Sequence, residues 1–267
     1  MFDIHSGSPH SIWVPVDCNG GSFDTLYTGQ IVKSGSDGVL PLGAASGAYD
    51  TSTEAIPFGV VIGTNKRTPS YSSTSYSESI TSESPHGATT EYVLHEGTMI
   101  PKGDTSAAVK VALIQPGTII KGSIFASTIG TALTVGTVSS GSSTGAGFTT
   151  SAINPATHRA DLVTVYFRTG ANRGIYRITT DSSTTVKTVE HYFPYDIAAG
   201  DKVVGTGLRV GYCKGQTDTE SVFIDGAADP ATNHWGLNVL WLDLSVAGKE
   251  CVYFQFGHIH FIGAARA

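Results

Sequence analysis

The chain has 267 residues, a formal net charge of -6 and 14% charged residues. It carries 32 glycines, and Ser plus Thr make up roughly a fifth of it. This balance excludes an overall basic footprint for nucleic acid. It also argues against a helical bundle, whose outer faces need many Glu and Lys.

Residues 1–10 (MFDIHSGSPH) are polar and contain Gly and Pro, so they read as a flexible N-terminal arm that orders against a partner. The sequence MFDIHSGSPHSIWVPV has neither the basic region nor the apolar core of a signal peptide, and no apolar run reaches the ~20 residues of a membrane helix. A soluble protein assembled inside a cell is therefore expected, with no membrane partner. From Ser11 onward, SIWVPV, GQIVKS, GVLPLG, FGVVIG, EYVLHEG and VKVALIQPG are short apolar runs between turn residues, the pattern of strands in a sandwich or barrel. Residues 67–90 (RTPSYSSTSYSESITSESPHGATT) interrupt them with little apolar area and read as a long exposed loop. Tyr71 and Tyr76 stand out there as anchors for the loop or for a partner.

One turn-to-strand device recurs. Gly29-Gln30, Gly97-Thr98, Gly117-Thr118 and Gly200-Asp201 each place a turn glycine and a polar residue ahead of an apolar pair. The unequal spacing excludes a solenoid. Residues 139–158 (SSGSSTGAGFTTSAINPATH) read as a Gly/Ser-rich loop or linker, with a domain boundary just before it. Strand patterns resume in DLVTVYFRT, GIYRITT, TTVKTVEHYF, DKVVGTGLRVGYC, ESVFIDG, GLNVLWLDLSV and ECVYFQFGHIHFIG. The prediction is an all-β chain: an arm at 1–10, a β-barrel or sandwich-like region at 11–125 and a second at 126–267.

Motifs for chemistry are weak. Gly141-Ser142-Ser143-Thr144-Gly145 matches G-x-S-x-G, but no helix follows to form a nucleophile elbow. His258 and His260 share one strand face yet make only half of a metal site, with His191 or His234 as conceivable further ligands. Residues 225–236 (DGAADPATNHWG) lack the EF-hand spacing and its terminal Glu, and fit a turn-rich surface loop. Cys18, Cys213 and Cys251 form no Cys-x-x-Cys pair and read as buried free thiols in a reducing compartment. No catalytic residue, metal or cofactor is predicted. VYFRTGANRGIYRITT (165–180) reads as a two-stranded hairpin with Arg173 at its tip, suited to a bidentate contact with a partner's carboxylate or left solvated.

YTGQIVKSGSDGVLPLGAASG, AIPFGVVIGTN and VLHEGTMIPKG resemble the head decoration, or cement, proteins of tailed bacteriophages. TGANRGIYRITTDSSTTVKTVEHYFPYDIAAGDKVVG and TGLRVGYCKG are similar to β domains of larger phage structural proteins. The resemblance implies a non-enzymatic protein on the outer surface of the virion capsid, assembled in the host bacterial cytoplasm. Such a protein forms homotrimers that bridge capsomers of the major capsid protein on the expanded head. Phe2, Ile4, His5, Trp13, Arg67, Tyr71, Tyr76 and Arg173 are the expected contacts, chosen as aromatic, apolar or Arg anchors. The alternative is a glycan-binding phage surface or tail-associated module that uses residues 229–235 as an aromatic platform.

Overall fold

A computed structural model describes residues 2–7, 10–16, 25–34, 38–42, 57–64, 79–81, 92–95, 98–101, 108–128, 130–141, 145–153, 164–181, 186–210, 223–227 and 237–257. Among these the protein is all-β, without a helix. The strands in chain order are β1 (Phe2–Ser6), β2 (Ser11–Pro15), β3 (Thr25–Tyr27), β4 (Ile31–Ser34), β5 (Val39–Pro41), β6 (Pro57–Thr64) and β7 (Ser79–Thr81). Then come β8 (Tyr92–His95), β9 (Thr98–Pro101), β10 (Ala108–Leu113), β11 (Ile119–Phe125), β12 (Val135–Gly141), β13 (Gly147–Thr150) and β14 (Thr164–Phe167). The last are β15 (Gly174–Asp181), β16 (Val186–Val189), β17 (Lys202–Thr206), β18 (Ile224–Asp225), β19 (Leu237–Asp243) and β20 (Cys251–Phe256).

Three bodies organise them. The sheet β2-β10-β6-β4-β5 draws all its strands from the first half of the chain. Strands β12-β13-β16-β15-β14-β17 close into a six-stranded barrel. A central sheet, β1-β11-β20-β19, takes its strands from before, between and after these two in sequence, with β18 running parallel to the end of β11. Two ribbons, β3-β7 and β8-β9, complete the pairing.

The hydrophobic pattern explains the layers. Ile120, Ile124, Val252, Phe254, Val239 and Leu242 line the inner face of the central sheet. They share one core with Ile31, Leu42 and Val60 of the first sheet and with Val204, Tyr166 and Ile175 of the barrel. The barrel has a second core of its own, built on Val138, Phe148, Val165, Phe167, Ile178 and Val203. There the aromatic rings meet edge to face, with Phe148 and Phe167 centroids 5.1 Å apart.

The repeated glycine device appears at its three described copies. Gly29, Gly117 and Gly200 have φ of 83°, 83° and 98°, which residues with a Cβ resist. The polar residue that follows closes each turn twice. Gln30, Thr118 and Asp201 donate their N–H to the carbonyl three residues back, and their side chains accept the N–H of that same residue. All three polar side chains are buried, so this pairing is what makes their burial tolerable.

Several sequence expectations are corrected. The arm is not free: residues 2–6 form β1, antiparallel to β11, because alternate Phe2 and Ile4 match the inner face of the sheet. Phe2 is 3% exposed and meets Phe254 edge to face at 5.9 Å. Gly122 makes the seat, since a Cβ there would lie 2.6 Å from the Phe2 ring. The stretch 139–158, expected as a loop or linker, holds the end of β12 and all of β13 among its described residues, and Phe148 fills the barrel core. Likewise β7 lies inside the expected 67–90 loop and pairs with β3. Finally, β19 and β20 lie in the range 126–267 but pair with β11, so the second region includes strands of the central sheet as well as the barrel.

Candidate functional site

Two exposed aromatic faces stand out. The first is the outer face of the central sheet. Phe2 and Ile4 point inward, so period-two alternation turns Asp3 and His5 outward. Register then carries one row across all four strands: Asp3 opposite Lys121, Lys121 opposite Tyr253, and Tyr253 opposite Trp241. Tyr253 is the centre of that row. The His5 ring meets it edge to face at 4.7 Å, and Lys121 Nζ stands 5.8 Å from its centroid.

Trp241 joins the row because of a bulge. Val239 pairs with Phe254 on the inner face, and two residues later strict alternation would turn Trp241 inward too. The register shift between Val239 and Trp241 makes Leu240 the extra residue, so Trp241 faces out, 58% exposed, while Leu242 returns to the core. Asp243 closes the rim at the end of β19. It accepts the Ser245 N–H at 3.0 Å and the Ser245 hydroxyl at 2.6 Å. Those hydrogen bonds, with a smaller contribution from Lys121, hold its carboxyl below the usual aspartate range against the opposing effect of burial.

The second face is one end of the barrel. The turn between β14 and β15 meets the long connection from β16 to β17. Asn172, buried in the turn, clamps the main chain of that connection. Its Nδ2 donates to Tyr195 O at 2.8 Å, and its Oδ1 accepts Tyr195 N–H at 3.0 Å. Phe193 and Ile197 enter the barrel core, and Phe193 lies against the rings of Phe148, Phe167 and Tyr176. Tyr192, just before Phe193, and Tyr195, between Phe193 and Ile197, therefore project outward, 75% and 60% exposed.

A buried clasp sets the barrel against the central sheet. Arg168, just after β14, donates Nη2 to Glu250 Oε1 at 2.6 Å and Nε to Leu244 O at 2.8 Å. The two side chains are 10% and 0% exposed. Glu250 Oε2 is buried without a hydrogen-bond partner among the described residues.

Of the expected contact residues, His5 lies on the aromatic row and Arg173 lies exposed at the hairpin turn, its Nε donating to Tyr166 Oη at 3.4 Å. Ile4 packs against the central core. Phe2 and Trp13 are buried, which corrects their reading as surface anchors: each large apolar ring fills a core position on an inward strand site. Arg67, Tyr71 and Tyr76 lie outside the described residues, as do Ser143, His258, His260 and residues 228–236. Asp225, weighed as a calcium ligand, instead closes a turn: its Oδ1 accepts the N–H groups of Ser127 and Ala227 at 3.0 and 2.9 Å. Among the described residues no group of three His, Cys, Asp or Glu side chains is placed to hold a metal ion.

Sequence reading missed Lys121, Tyr253 and Trp241, which only strand register brings together. It also missed Tyr192 and Tyr195, although Pro194 within HYFPYD is a local signal that the strand has ended. No family model, curated protein or solved structure matches this chain.

Proposed function

We propose that this chain is a phage head decoration protein that binds the outside of the expanded capsid and bridges capsomers of the major capsid protein without catalysing a reaction. The observation that supports the reading is the row His5, Lys121, Tyr253 and Trp241 on the open face of the central sheet. Its aromatic centre and charged margin, with Asp3 and Asp243 at the two sides, have the anatomy of a protein-binding surface. The sheet holds these side chains in place before contact, so little main-chain ordering opposes binding. Trimers of the chain would repeat this modest contact over a symmetric lattice, which turns weak sites into a stable coat.

The test is co-sedimentation of the purified protein with empty expanded heads lacking it, beside unexpanded heads. Saturable binding to expanded heads alone is expected. Trp241→Ala is expected to weaken it on the order of thirtyfold, the effect of losing a central aromatic anchor. Absence of binding to either head form by folded protein refutes the proposal.

A further inference from the structure

We propose that the barrel end carrying Tyr192 and Tyr195 is a binding platform for a neutral oligosaccharide. The inference stands apart from the coat role, because the Trp241 face lies on a different sheet.

Three observations carry it. The first is preorganisation. Residues 190–200 have no strand structure, yet Asn172 holds both the N–H and the C=O of Tyr195, and Phe193 and Ile197 plug the barrel beneath. A second brace is the Asp201 carboxylate, which accepts the Ala198 N–H and the Thr169 hydroxyl at 3.4 Å each. The main chain under the two tyrosines is thus fixed before any ligand arrives, and the ordering cost that loops normally impose on binding is reduced.

The second observation is size. Glu190, His191, Tyr192, Pro194, Tyr195 and Asp196 are the exposed residues of the loop up to Ile197. A standard protein interface needs about 20–30 residues a side. Those six exposed residues match instead one or two sugar rings.

The third is chemistry. An exposed tyrosine offers an apolar ring face with a hydroxyl at its edge. A pyranose has the complementary form, an apolar C–H face bounded by hydroxyls. His191 and Asp196, both exposed beside the rings, add a donor and acceptors for those hydroxyls. The carboxylates of Glu190 and Asp196 disfavour an acidic sugar. The nearest arginines have other engagements: Arg177 pairs with Glu190 at 3.3 Å, and Arg173 donates to Tyr166.

The experiment is native affinity electrophoresis of the full chain in gels containing dextran, soluble starch, yeast mannan, galactomannan or hydroxyethylcellulose. Retardation in at least one gel is expected. It should fall about tenfold for Tyr192→Ala or Tyr195→Ala, vanish in the double variant and survive in Tyr192→Trp. The double variant keeps its melting temperature, since both rings face water. Migration unchanged in all five gels overturns the proposal, as does retardation that the double variant retains. If the double variant instead loses co-sedimentation with heads and no gel retards the parent, the platform is a protein contact and the saccharide reading is wrong. Head binding that persists in the double variant leaves the coat role standing by itself.

Discussion

Replacing Arg168 by Met tests the buried clasp most directly. Methionine keeps the length and apolar bulk of the side chain and removes its charge and donors. Glu250 is then left 0% exposed with its carboxylate facing no cation, and the Leu244 carbonyl loses its Nε donor. Removing one partner of a buried pair costs about 3–5 kcal/mol, far more than the pair contributes over apolar side chains. For a chain of this size that corresponds to a fall in melting temperature of roughly 5–10 °C. The double variant Arg168→Met/Glu250→Met removes the stranded charge together with its partner. It should recover most of the loss, giving a coupling of at least ~2 kcal/mol in the double-mutant cycle. Urea unfolding of the four proteins, followed by tyrosine and tryptophan fluorescence, measures each term. A single variant within ~1 kcal/mol of the parent, or a double variant less stable than Arg168→Met, refutes the view that this pair is buried and coupled.

Deleting Leu240 removes the extra residue of the β19 bulge and leaves plain alternation in the existing register, with Val239 and Leu242 still inward and Trp241 outward. Urea unfolding should therefore register a loss below ~1 kcal/mol, and a loss of ~3 kcal/mol or more contradicts the placement of Leu240 as the unpaired residue. The Asp243 pKa is lowered on folding, so its contribution is fully present above the unfolded value of about 3.9 and is lost as pH falls through the folded value. Asp243→Asn should therefore flatten the acid limb of a urea-midpoint profile from pH 6 to 2, by a small amount because the carboxyl faces water. Burial pushes the Cys251 thiol up, so its alkylation by iodoacetamide should begin at higher pH than that of a model thiol. Peptide mapping by mass spectrometry reads this, and labelling of Cys251 in native protein at the model-thiol rate contradicts its burial.

Local strand structure was legible wherever one period held. GIYRITT became β15, FGVVIG became β6, and the hairpin of residues 164–181 formed with Arg173 at its turn. The glycine device was legible too, because a polar residue after a turn glycine has a local partner three residues away. Long-range pairing was not. Arg168 and Glu250 lie 82 residues apart, and nothing in either neighbourhood names the other. The return of β20 to β11 is set by matched inner faces, which several strands of this chain could have offered equally well. Phe2 and Trp13 show the converse limit. An aromatic ring near a chain start reads as an anchor for any apolar surface, and only register reveals that the surface is the protein's own.

Both aromatic faces exist because a regular pattern is broken at them. On β19 the bulge inserts one residue, and the tryptophan that alternation would have buried is turned to water. Beyond β16 the strand stops, Phe193 and Ile197 take the inward sites of the barrel end, and the tyrosines on either side of Phe193 are left outside. In each place a core position is filled by a neighbour in sequence: Leu242 follows Trp241, and Phe193 separates Tyr192 from Tyr195. The exposure of these rings is thus built by the packing beside them and is not a failure to bury them. A surface ring that requires a bulge or a clamped loop to stay outside departs from local consistency at a definite structural expense, and such departures concentrate at functional sites. Trp241, Tyr192 and Tyr195 therefore rank above an exposed apolar residue such as Val186 on β16, whose outward direction follows from alternation alone.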